Sequence, residues 1–352
     1  MLIVAVVGAT GELGQLIIES LLVQAKDVTV RAIVRKSNSA LDALKAKSPK
    51  SVEIVLVDYA SAASLDAALK GVYAVASTLQ GLEEVLHTVQ SRLLEAALRQ
   101  NVKRFIPSDY SYDFLTGNFP KNCNRNSEIR KGFHKKAGSI IAASGKKIEF
   151  LPVMNGMFTD LFPVEEFQIV NYSERTIAYF GPHANVKQEF TTYRNTAEFV
   201  AYVLVDPKPI AKSHLHISGH TATINEIAAL VSKATGETFV AKQALSLGFT
   251  QFLIFVLKHF AKKGEVMPQY QKLQYGYCMA LGLSTWKTED LHNNMYPGIK
   301  WTRVDEAVKL EYEKKKKAGL IKKRSTSSGI GWFVAVGAVA AVGAGVYLYG
   351  KK

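Results

Sequence analysis

The sequence predicts an α/β protein with a Rossmann-type, doubly wound parallel sheet, a smaller C-terminal substrate-binding part and a C-terminal transmembrane helix. Three observations support this fold class. A short apolar, β-branched run at 2–7 leads through a glycine turn into an apolar stripe at helical spacing. Strand-like and helix-like segments then alternate as far as residue 153, which is typical of βαβ units. Finally, residues 329–350 hold no charged side chain.

The glycine turn joins the first strand to the first helix and has the spacing Gly-x-x-Gly-x-x-Gly. Gly8 permits a tight turn, Gly11 lets the backbone approach a pyrophosphate, and Gly14 lets helix and strand pack closely. The helix that follows offers free N–H groups and a positive dipole end to phosphate groups. The turn is therefore predicted to bind a dinucleotide through Gly8, Thr10, Gly11, Glu12, Leu13 and Gly14.

The end of the second strand indicates which dinucleotide is bound. The strand-like run 28–34 is followed by Arg35, Lys36 and Ser37. An NAD site would place an acidic residue here to bind the ribose 2′-hydroxyl. Two cations suit a 2′-phosphate instead, and the planar arginine fork matches a phosphate group. Arg35 and Lys36 therefore favour NADP(H).

Other polar positions follow the ends of later strands in the predicted sheet. Ligands of doubly wound sheets bind outside the carboxyl ends of the strands, so these positions should share one crevice with the glycine turn. The further residues predicted to bind the cofactor are Asp58, Thr78, Leu79, Gln80, Ser108 and Asn155.

Four segments carry a resemblance to a known family. They are Val-Val-Gly-Ala-Thr-Gly at 6–11, Lys-Arg-Phe-Ile-Pro-Ser-Asp-Tyr at 103–110, Asn-Gly-Met-Phe at 155–158 and Tyr-Pro-Gly-Ile-Lys-Trp-Thr at 296–302. Together they resemble the NmrA-like, isoflavone-reductase-like family of atypical short-chain dehydrogenases. The resemblance implies an NADP(H)-binding domain over 1–154 and a smaller substrate-binding part over 155–310, some segments of which return to the first domain. Family members include NADPH-dependent reductases of small aromatic molecules and non-catalytic dinucleotide sensors.

The resemblance also implies a catalytic lysine on the helix before the sixth strand, about three helical turns ahead of the closing glycine. Counting back from Gly145 without gaps reaches His134, with Lys135 and Lys136 directly after it. We expect Lys135 to act as the general acid that protonates the substrate oxygen, with Lys136 and His134 as alternatives.

The Tyr-x-x-x-Lys pair of classical short-chain dehydrogenases is absent from this helix. Lys131 and Gly132 stand four positions before the two lysines. Tyr110 and Tyr112, just after the fifth strand, are the tyrosines that could substitute, although buried or lid positions would also account for them.

Metal, disulfide and nucleic-acid sites are not expected. The eight histidines show no metal-ligand spacing, and His214 and His216, which alternate along a strand-like run, read as structural. The two cysteines lie far apart in sequence, which favours a reducing compartment. The net charge of +14 is concentrated in 309–324 and at the last two lysines, without the aromatic–basic pattern of nucleic-acid binders.

The tail reads as a membrane anchor. At 1.5 Å per residue, 329–350 is long enough to cross a hydrocarbon core, with Trp332 at one interface and Tyr347 and Tyr349 at the other. Residues 311–328 read as a basic linker attracted to lipid. Because so few residues follow the helix, insertion would come after synthesis, with the body facing the cytosol. Modest hydrophobicity and a basic end favour the mitochondrial or peroxisomal outer surface over the endoplasmic reticulum.

The apolar, aromatic run 249–257 is too short to span a bilayer. It reads as a core or lid helix, or as one that lies in a lipid interface or lines an apolar substrate pocket. For the whole chain we expect a membrane-anchored NADPH-dependent reductase that transfers a hydride to a small apolar or aromatic carbonyl or enone substrate. The alternative is an NADP(H)-sensing regulatory protein without catalytic activity. Whether the chain forms a homo-oligomer stays open.

Overall fold

A computed structural model describes residues 2–25, 27–115, 119–162, 169–283 and 285–321. The chain divides into two compact units. Among the described residues, unit 1 comprises those of 1–160, 188–221 and 283–304, and unit 2 comprises those of 161–187, 222–282 and 305–321. Two stretches of the C-terminal half thus return to the unit that contains the glycine turn.

Unit 1 is built on a six-stranded parallel sheet, as the alternating pattern predicts. Its strands are β1 (Leu2–Val7), β2 (Val28–Val34), β3 (Val52–Leu56), β4 (Ala74–Ser77), β5 (Arg104–Ile106) and β6 (Glu149–Phe150). They lie in the order β3-β2-β1-β4-β5-β6, and every pairing is parallel. The reversal of strand order beside β1 is the switch point at which Rossmann-type sheets bind ligands.

Helices cover both faces of this sheet. They are α1 (Glu12–Gln24), α2 (Ser39–Lys47), α3 (Ala62–Leu69), α4 (Gln90–Arg99), α5 (Arg125–Ser144) and α6 (Tyr193–Val205), with a π-helix at Glu84–Val89 leading into α4. Side chains of β1 alternate between the faces: Val4 and Val6 join the core under α1 and α6, whereas Ala5 and Val7 join the core under α3, α4 and α5. This burial on both sides explains the continuous apolar character of β1.

The predicted sixth strand, 148–153, is interrupted. It forms β6 and then β7 (Val153–Met154), which pairs with β12 (Leu215–His216) instead of extending the main sheet. Pro152 lies between the two parts and has no N–H with which to continue a ladder. A small sheet of β8 (Met157–Phe158), β11 (Gln188–Thr191) and β13 (His220–Ala222) follows, with 3₁₀ turns at Thr159–Leu161, Thr288–Asp290 and Asn293–Met295.

The described part of unit 2 contains a three-stranded sheet and four helices. These are β9 (Val170–Asn171), β10 (Thr176–Phe180), β14 (Val240–Leu245), α7 (Ile224–Thr235), α8 (Leu247–Phe260), α9 (Gln269–Ala280) and α10 (Val304–Lys317). Thr223 caps α7 through a capping box with Glu226, as expected of a threonine at that position.

The basic linker predicted to begin at 311 is wrong in its first part, because 311–317 continue α10. Val308 and Tyr312, one turn apart, are both buried, and the Tyr312 ring centroid lies 6.0 Å from that of Tyr172. A helix with a buried stripe of this kind extends until the stripe ends. The last turn of α10 holds four lysines, Lys314–Lys317, and the predicted linker beyond residue 321 lies outside the described residues.

The apolar run 249–257 forms the middle of α8. Leu253 is buried, but Phe249, Phe252 and Phe255 are 48%, 56% and 65% exposed, so α8 is not a core helix within the described residues. No helix in the described ranges is long and apolar enough to cross a bilayer. The predicted transmembrane segment, 329–350, lies outside those ranges.

Candidate active site

The glycine turn brings the ends of two neighbouring strands into contact. Gly8 has a φ of +83°, and a Cβ built on it would lie 3.0 Å from the Thr78 backbone at the end of β4. The Thr78 hydroxyl donates to the carbonyls of Val7, at 2.9 Å, and Gly8, at 3.2 Å. Only glycine combines this backbone conformation with so close an approach. Thr78 therefore lies where predicted, but its hydroxyl supports the turn.

The start of α1 is arranged as an anion site. Gly11 is the N-cap and supplies no side chain to the first-turn N–H groups, and a Cβ on it would meet only the Gly8 carbonyl oxygen, at 3.4 Å. Gly14 differs, because a Cβ there would lie 2.9 Å from the Ala9 Cα. Gly11 thus leaves space for a pyrophosphate, while Gly14 sets the close packing of helix and turn. Glu12 and Leu13 complete this first turn of α1.

The outward side of the turn is fastened to α2. The Thr10 carbonyl accepts hydrogen bonds from the Gln15 amide, at 3.0 Å, and the Asn38 amide, at 3.2 Å. Asn38 also caps α2 through the Leu41 N–H. Asn38 was not among the predicted site residues, although an asparagine just before a helical run is a recognisable cap signal.

Two cations stand at the end of β2. Arg35 and Lys36 are exposed, and the described residues provide no ion pair to either, whereas Arg31 is paired with Glu53 at 3.1 Å. Burial raises the pKa of the neighbouring Tyr59 to about 12, against the lowering effect of the Arg35 charge. Tyr59 therefore remains neutral beside Arg35, whose charge stays available to an external phosphate.

Asp58 lies after β3, at the predicted edge, but its polar groups are used locally. Its carboxylate accepts from the Ala60 N–H at 2.8 Å, and its own N–H donates to the Ser64 hydroxyl at 3.1 Å. These bonds form a turn.

Ser108 ties together the ends of β4 and β5. Its hydroxyl donates to the Leu79 carbonyl at 2.7 Å, and its N–H donates to the Gln90 side chain at 2.8 Å. Leu79 is buried and Gln80 is exposed. Ser108 therefore forms part of the crevice wall, and its hydroxyl proton is already engaged.

Asn155, after β7, is fully buried and differs from the other predicted polar residues. Its backbone N–H donates to the Ser111 carbonyl at 3.0 Å, and its carbonyl accepts from the Thr191 hydroxyl at 2.7 Å. Neither atom of its side-chain amide has a hydrogen-bond partner among the described residues. Because buried polar groups are nearly always paired, this amide is the predicted site residue best prepared to receive a ligand.

The three catalytic candidates on α5 have different surroundings. Lys135 and Lys136 are exposed, and Lys136 lines a shallow groove with Leu98 and Arg99, at the end of α4 remote from the glycine turn. His134 is only 15% exposed, and its Nε2 lies 2.6 Å from Oδ2 of the fully buried Asp109. His134 is thus the candidate that the structure brings to the carboxyl end of β5.

Aromatic rings and one arginine fix the His134–Asp109 pair. The imidazole makes edge contacts with Phe114, Phe133 and Phe150, at centroid separations of 5.7, 5.8 and 5.3 Å. One helical turn earlier, Arg130 Nε donates to the Ser108 carbonyl at 3.0 Å and lies 3.7 Å from Oδ1 of Asp109. A carboxylate that orients an imidazole in this way is a common element of proton-transfer sites.

The two tyrosines after β5 are both buried. Burial, and to a lesser extent the charge of Asp109, raises the pKa of Tyr110 above its ordinary value, so this phenol stays protonated. Tyr112 is stacked on Phe119, with ring centroids 5.5 Å apart. Both tyrosines therefore pack in unit 1.

The structure also brings together residues that the sequence analysis treated as unrelated. Asp113, His214 and His216 each place one donor atom within 4.8 Å of the others. The sequence showed no ligand spacing for this cluster because Asp113 lies far from the two histidines along the chain.

The sheet order, the glycine turn at its switch point and the bare helix N-terminus define a Rossmann-type dinucleotide-binding protein. Over residues 2–314 the chain matches the NmrA-like family, to which it belongs. The resemblance stated on sequence grounds is therefore confirmed.

Several relatives are reductases. An NmrA-like family domain-containing oxidoreductase of Gibberella moniliformis is 24% identical over 87% of this chain and 97% of its own length. Pinoresinol reductase 1 of Arabidopsis thaliana is 25% identical over 87% and 96%, respectively. The solved structure of AtPrR2 with NADP+ and (+)pinoresinol superposes with a TM-score of 0.68, at 22% identity, over 87% of this chain and 97% of that one. The dinucleotide in that structure agrees with the predicted cofactor.

Proposed function

We propose that this protein is an NADPH-dependent reductase of a small apolar or aromatic carbonyl or enone compound. The observation that carries the proposal is the Gly8–Gly14 turn beside Arg35 and Lys36, two exposed cations at the carboxyl edge of the sheet that have no ion pair among the described residues. The fit to the cofactor rests on residues present in the chain: an open helix N-terminus for the pyrophosphate and cations for the 2′-phosphate. The names of the relatives, an oxidoreductase and a pinoresinol reductase among them, support the same class of reaction.

The cofactor, when bound, supplies the hydride, and the protein must supply a proton to the atom that gains the electron pair. We assign the proton to His134 in preference to Lys135, the first choice from the sequence. The His134 Nε2 is engaged by Asp109 at 2.6 Å, which leaves Nδ1 as the nitrogen that passes the proton. Asp109 orients the ring through this contact. Asn155 offers its unpaired amide to polar atoms of the bound molecules.

Turnover of two variants on the same helix tests this assignment. His134→Gln should lower the rate of NADPH consumption by roughly 10²- to 10⁴-fold, the usual contribution of a general acid, with NADPH affinity within a few-fold of wild type. Lys135→Ala, one residue away and exposed, serves as the matched control and should retain near-normal turnover. The opposite result would return the role to Lys135.

The rival function is dinucleotide sensing without chemistry. One observation favours it. The position on α5 at which the family resemblance implies a catalytic lysine is occupied by His134 in this chain. A sensor would bind NADPH with the same preference but would consume none with any quinone, aryl enone or aromatic aldehyde. An NADPH oxidation assay over such a panel separates the two functions, provided that binding is measured in the same samples.

We also propose that residues 329–350 anchor the protein to an organelle membrane, with the reductase body in the cytosol and the mitochondrial or peroxisomal surface favoured. The support is the charge-free run itself, its aromatic ends and its basic flanks. An anchor of this kind would keep the active site close to a lipid phase in which apolar substrates accumulate.

A fusion of residues 310–352 to a fluorescent protein tests the anchor. It should resist carbonate extraction from membranes and colocalise with a mitochondrial or peroxisomal marker. A matched fusion with three lysines introduced into 335–345 should stay in the supernatant. If the unmodified fusion is also extracted, the tail is not the anchor.

A further inference from the structure

Unit 1 contains a cluster of two imidazoles and one carboxylate that the reductase proposal does not use. His214 and His216 are two positions apart at β12, so their side chains emerge on the same face of the strand. Asp113 reaches this face from the segment after β5. One donor atom from each residue lies within 4.8 Å of the other two.

The spacing of the cluster is close to that of a metal site. Nε2 of His216 and Oδ2 of Asp113 are 2.9 Å apart. Two ligands of one tetrahedral zinc ion, each bonded at about 2.0–2.1 Å, lie roughly 3.3 Å apart. A small outward movement of these two side chains would therefore admit an ion. The His214 ring, whose centroid is 4.6 Å from that of His216, is placed to provide a third ligand.

The side chains are also held in place by their surroundings. The second carboxylate oxygen of Asp113 accepts from the Leu115 N–H at 2.8 Å. The His216 ring is stacked on Trp286, with 4.7 Å between centroids and 7° between planes. Oriented ligands and an outer layer of partners are typical of metal sites in proteins.

The two ring nitrogens of His216 have different surroundings. His216 is buried, yet its Nδ1 has no hydrogen-bond partner among the described residues. A buried ring nitrogen is normally paired with protein or with a ligand. The ion would bind the other ring nitrogen, Nε2, which faces Asp113, and Nδ1 would then be the position at which the ring meets a water molecule of the outer layer.

We propose that Asp113, His214 and His216 form a binding site for a divalent transition-metal ion, with zinc as the best match and water in the remaining position. Two nitrogen donors and one oxygen donor suit Zn²⁺ and disfavour Mg²⁺, which prefers oxygen ligands. The ion would fasten the segment that carries Asp109 and Asp113 to β12. It thereby stabilises the support of the His134–Asp109 pair without contacting the cofactor residues.

The test uses the full chain purified without a polyhistidine tag, stripped with a chelator and dialysed against Zn²⁺. Plasma mass spectrometry should then find one zinc per chain, and thermal melts should show a rise in Tm with Zn²⁺ but not with Mg²⁺. His214→Ala and the isosteric Asp113→Asn should each weaken zinc binding at least tenfold in chelator competition. His183→Ala, which removes an exposed histidine outside the cluster, is the matched control and should bind zinc as wild type does.

Substoichiometric zinc in the wild type, or equal zinc affinity in His183→Ala and His214→Ala, would overturn the proposal. His214→Ala is chosen because this ring is only half-buried, and the melting curve of each variant establishes that it is folded. NADPH affinity, measured in the same samples, should be unchanged in His214→Ala. Failure of the metal site is thereby distinguishable from failure of the reductase proposal.

Discussion

The substitution Gly14→Ala tests whether the close packing of the glycine turn matters more than the higher helix propensity of alanine. An alanine Cβ there would lie 2.9 Å from the Ala9 Cα and 2.9 Å from the Thr78 hydroxyl oxygen. The Ala9 contact is with backbone, so the start of α1 must shift. Overpacking of this kind typically costs about 1–3 kcal/mol. The replacement of a helical glycine by alanine returns up to about 1 kcal/mol.

Gly14→Ala is therefore expected to lower the free energy of unfolding by about 1–2 kcal/mol. It should also raise the Kd for NADPH about tenfold or more, equivalent to about 1.4 kcal/mol, because the displaced helix N-terminus no longer meets the pyrophosphate. Gly138→Ala in α5 is the matched control: a Cβ there meets no atom within 4 Å. That variant should gain roughly 0.5–1 kcal/mol in stability and bind NADPH normally.

Urea unfolding followed by circular dichroism gives the two stabilities, and quenching of protein fluorescence by NADPH gives the two affinities. The prediction depends on the opposite signs of the two stability changes. If Gly14→Ala is as stable as Gly138→Ala and binds NADPH with wild-type affinity, the close approach of α1 to the turn does not create the dinucleotide site.

Two further variants test the electrostatics. Arg35→Ala should reduce the preference for NADPH over NADH about tenfold in titration calorimetry, because the free guanidinium is lost from the 2′-phosphate position; Arg99→Ala, at the opposite edge of the sheet, should leave the preference intact. In unit 2, a hydrogen bond from Arg175 at 2.7 Å holds the pKa of Glu237 below its ordinary value of 4.5. This carboxylate therefore stabilises the fold above pH 4.5, and the contribution is lost as the pH falls through its folded-state pKa. Glu237→Gln should flatten the acid side of the stability profile, and an unchanged profile in urea unfolding between pH 6 and 3 would contradict that reading.

The sequence was sufficient to predict those features that are formed by residues close together in the chain. The Thr223 cap, the glycine turn and the cations after β2 each involve residues adjacent in the chain, so their chemistry can be recognised there. The interruption of the sixth strand at Pro152 was also visible in principle, because a proline inside a strand signals a break.

Features that depend on tertiary contacts were less accessible. Counting along α5 gave three consecutive candidates for a catalytic residue. Only the tertiary structure shows that His134 faces Asp109 whereas Lys135 is exposed. The Asp113, His214 and His216 cluster joins distant segments through the pairing of β7 with β12. The extension of α10 past 311 follows from the burial of Tyr312 among rings that lie far away in sequence.

Transfer of deuterium from the cofactor tests the central claim most directly. The full chain would be incubated with NADPH deuterated at C4, on each face of the nicotinamide in turn, and with a panel of quinones, aryl enones and aromatic aldehydes. If the protein is a reductase, NADPH is consumed and one product gains a single deuterium from only one of the two labelled cofactors. Tight binding of NADPH without transfer of either label to any compound would contradict the account and identify the protein as a dinucleotide sensor.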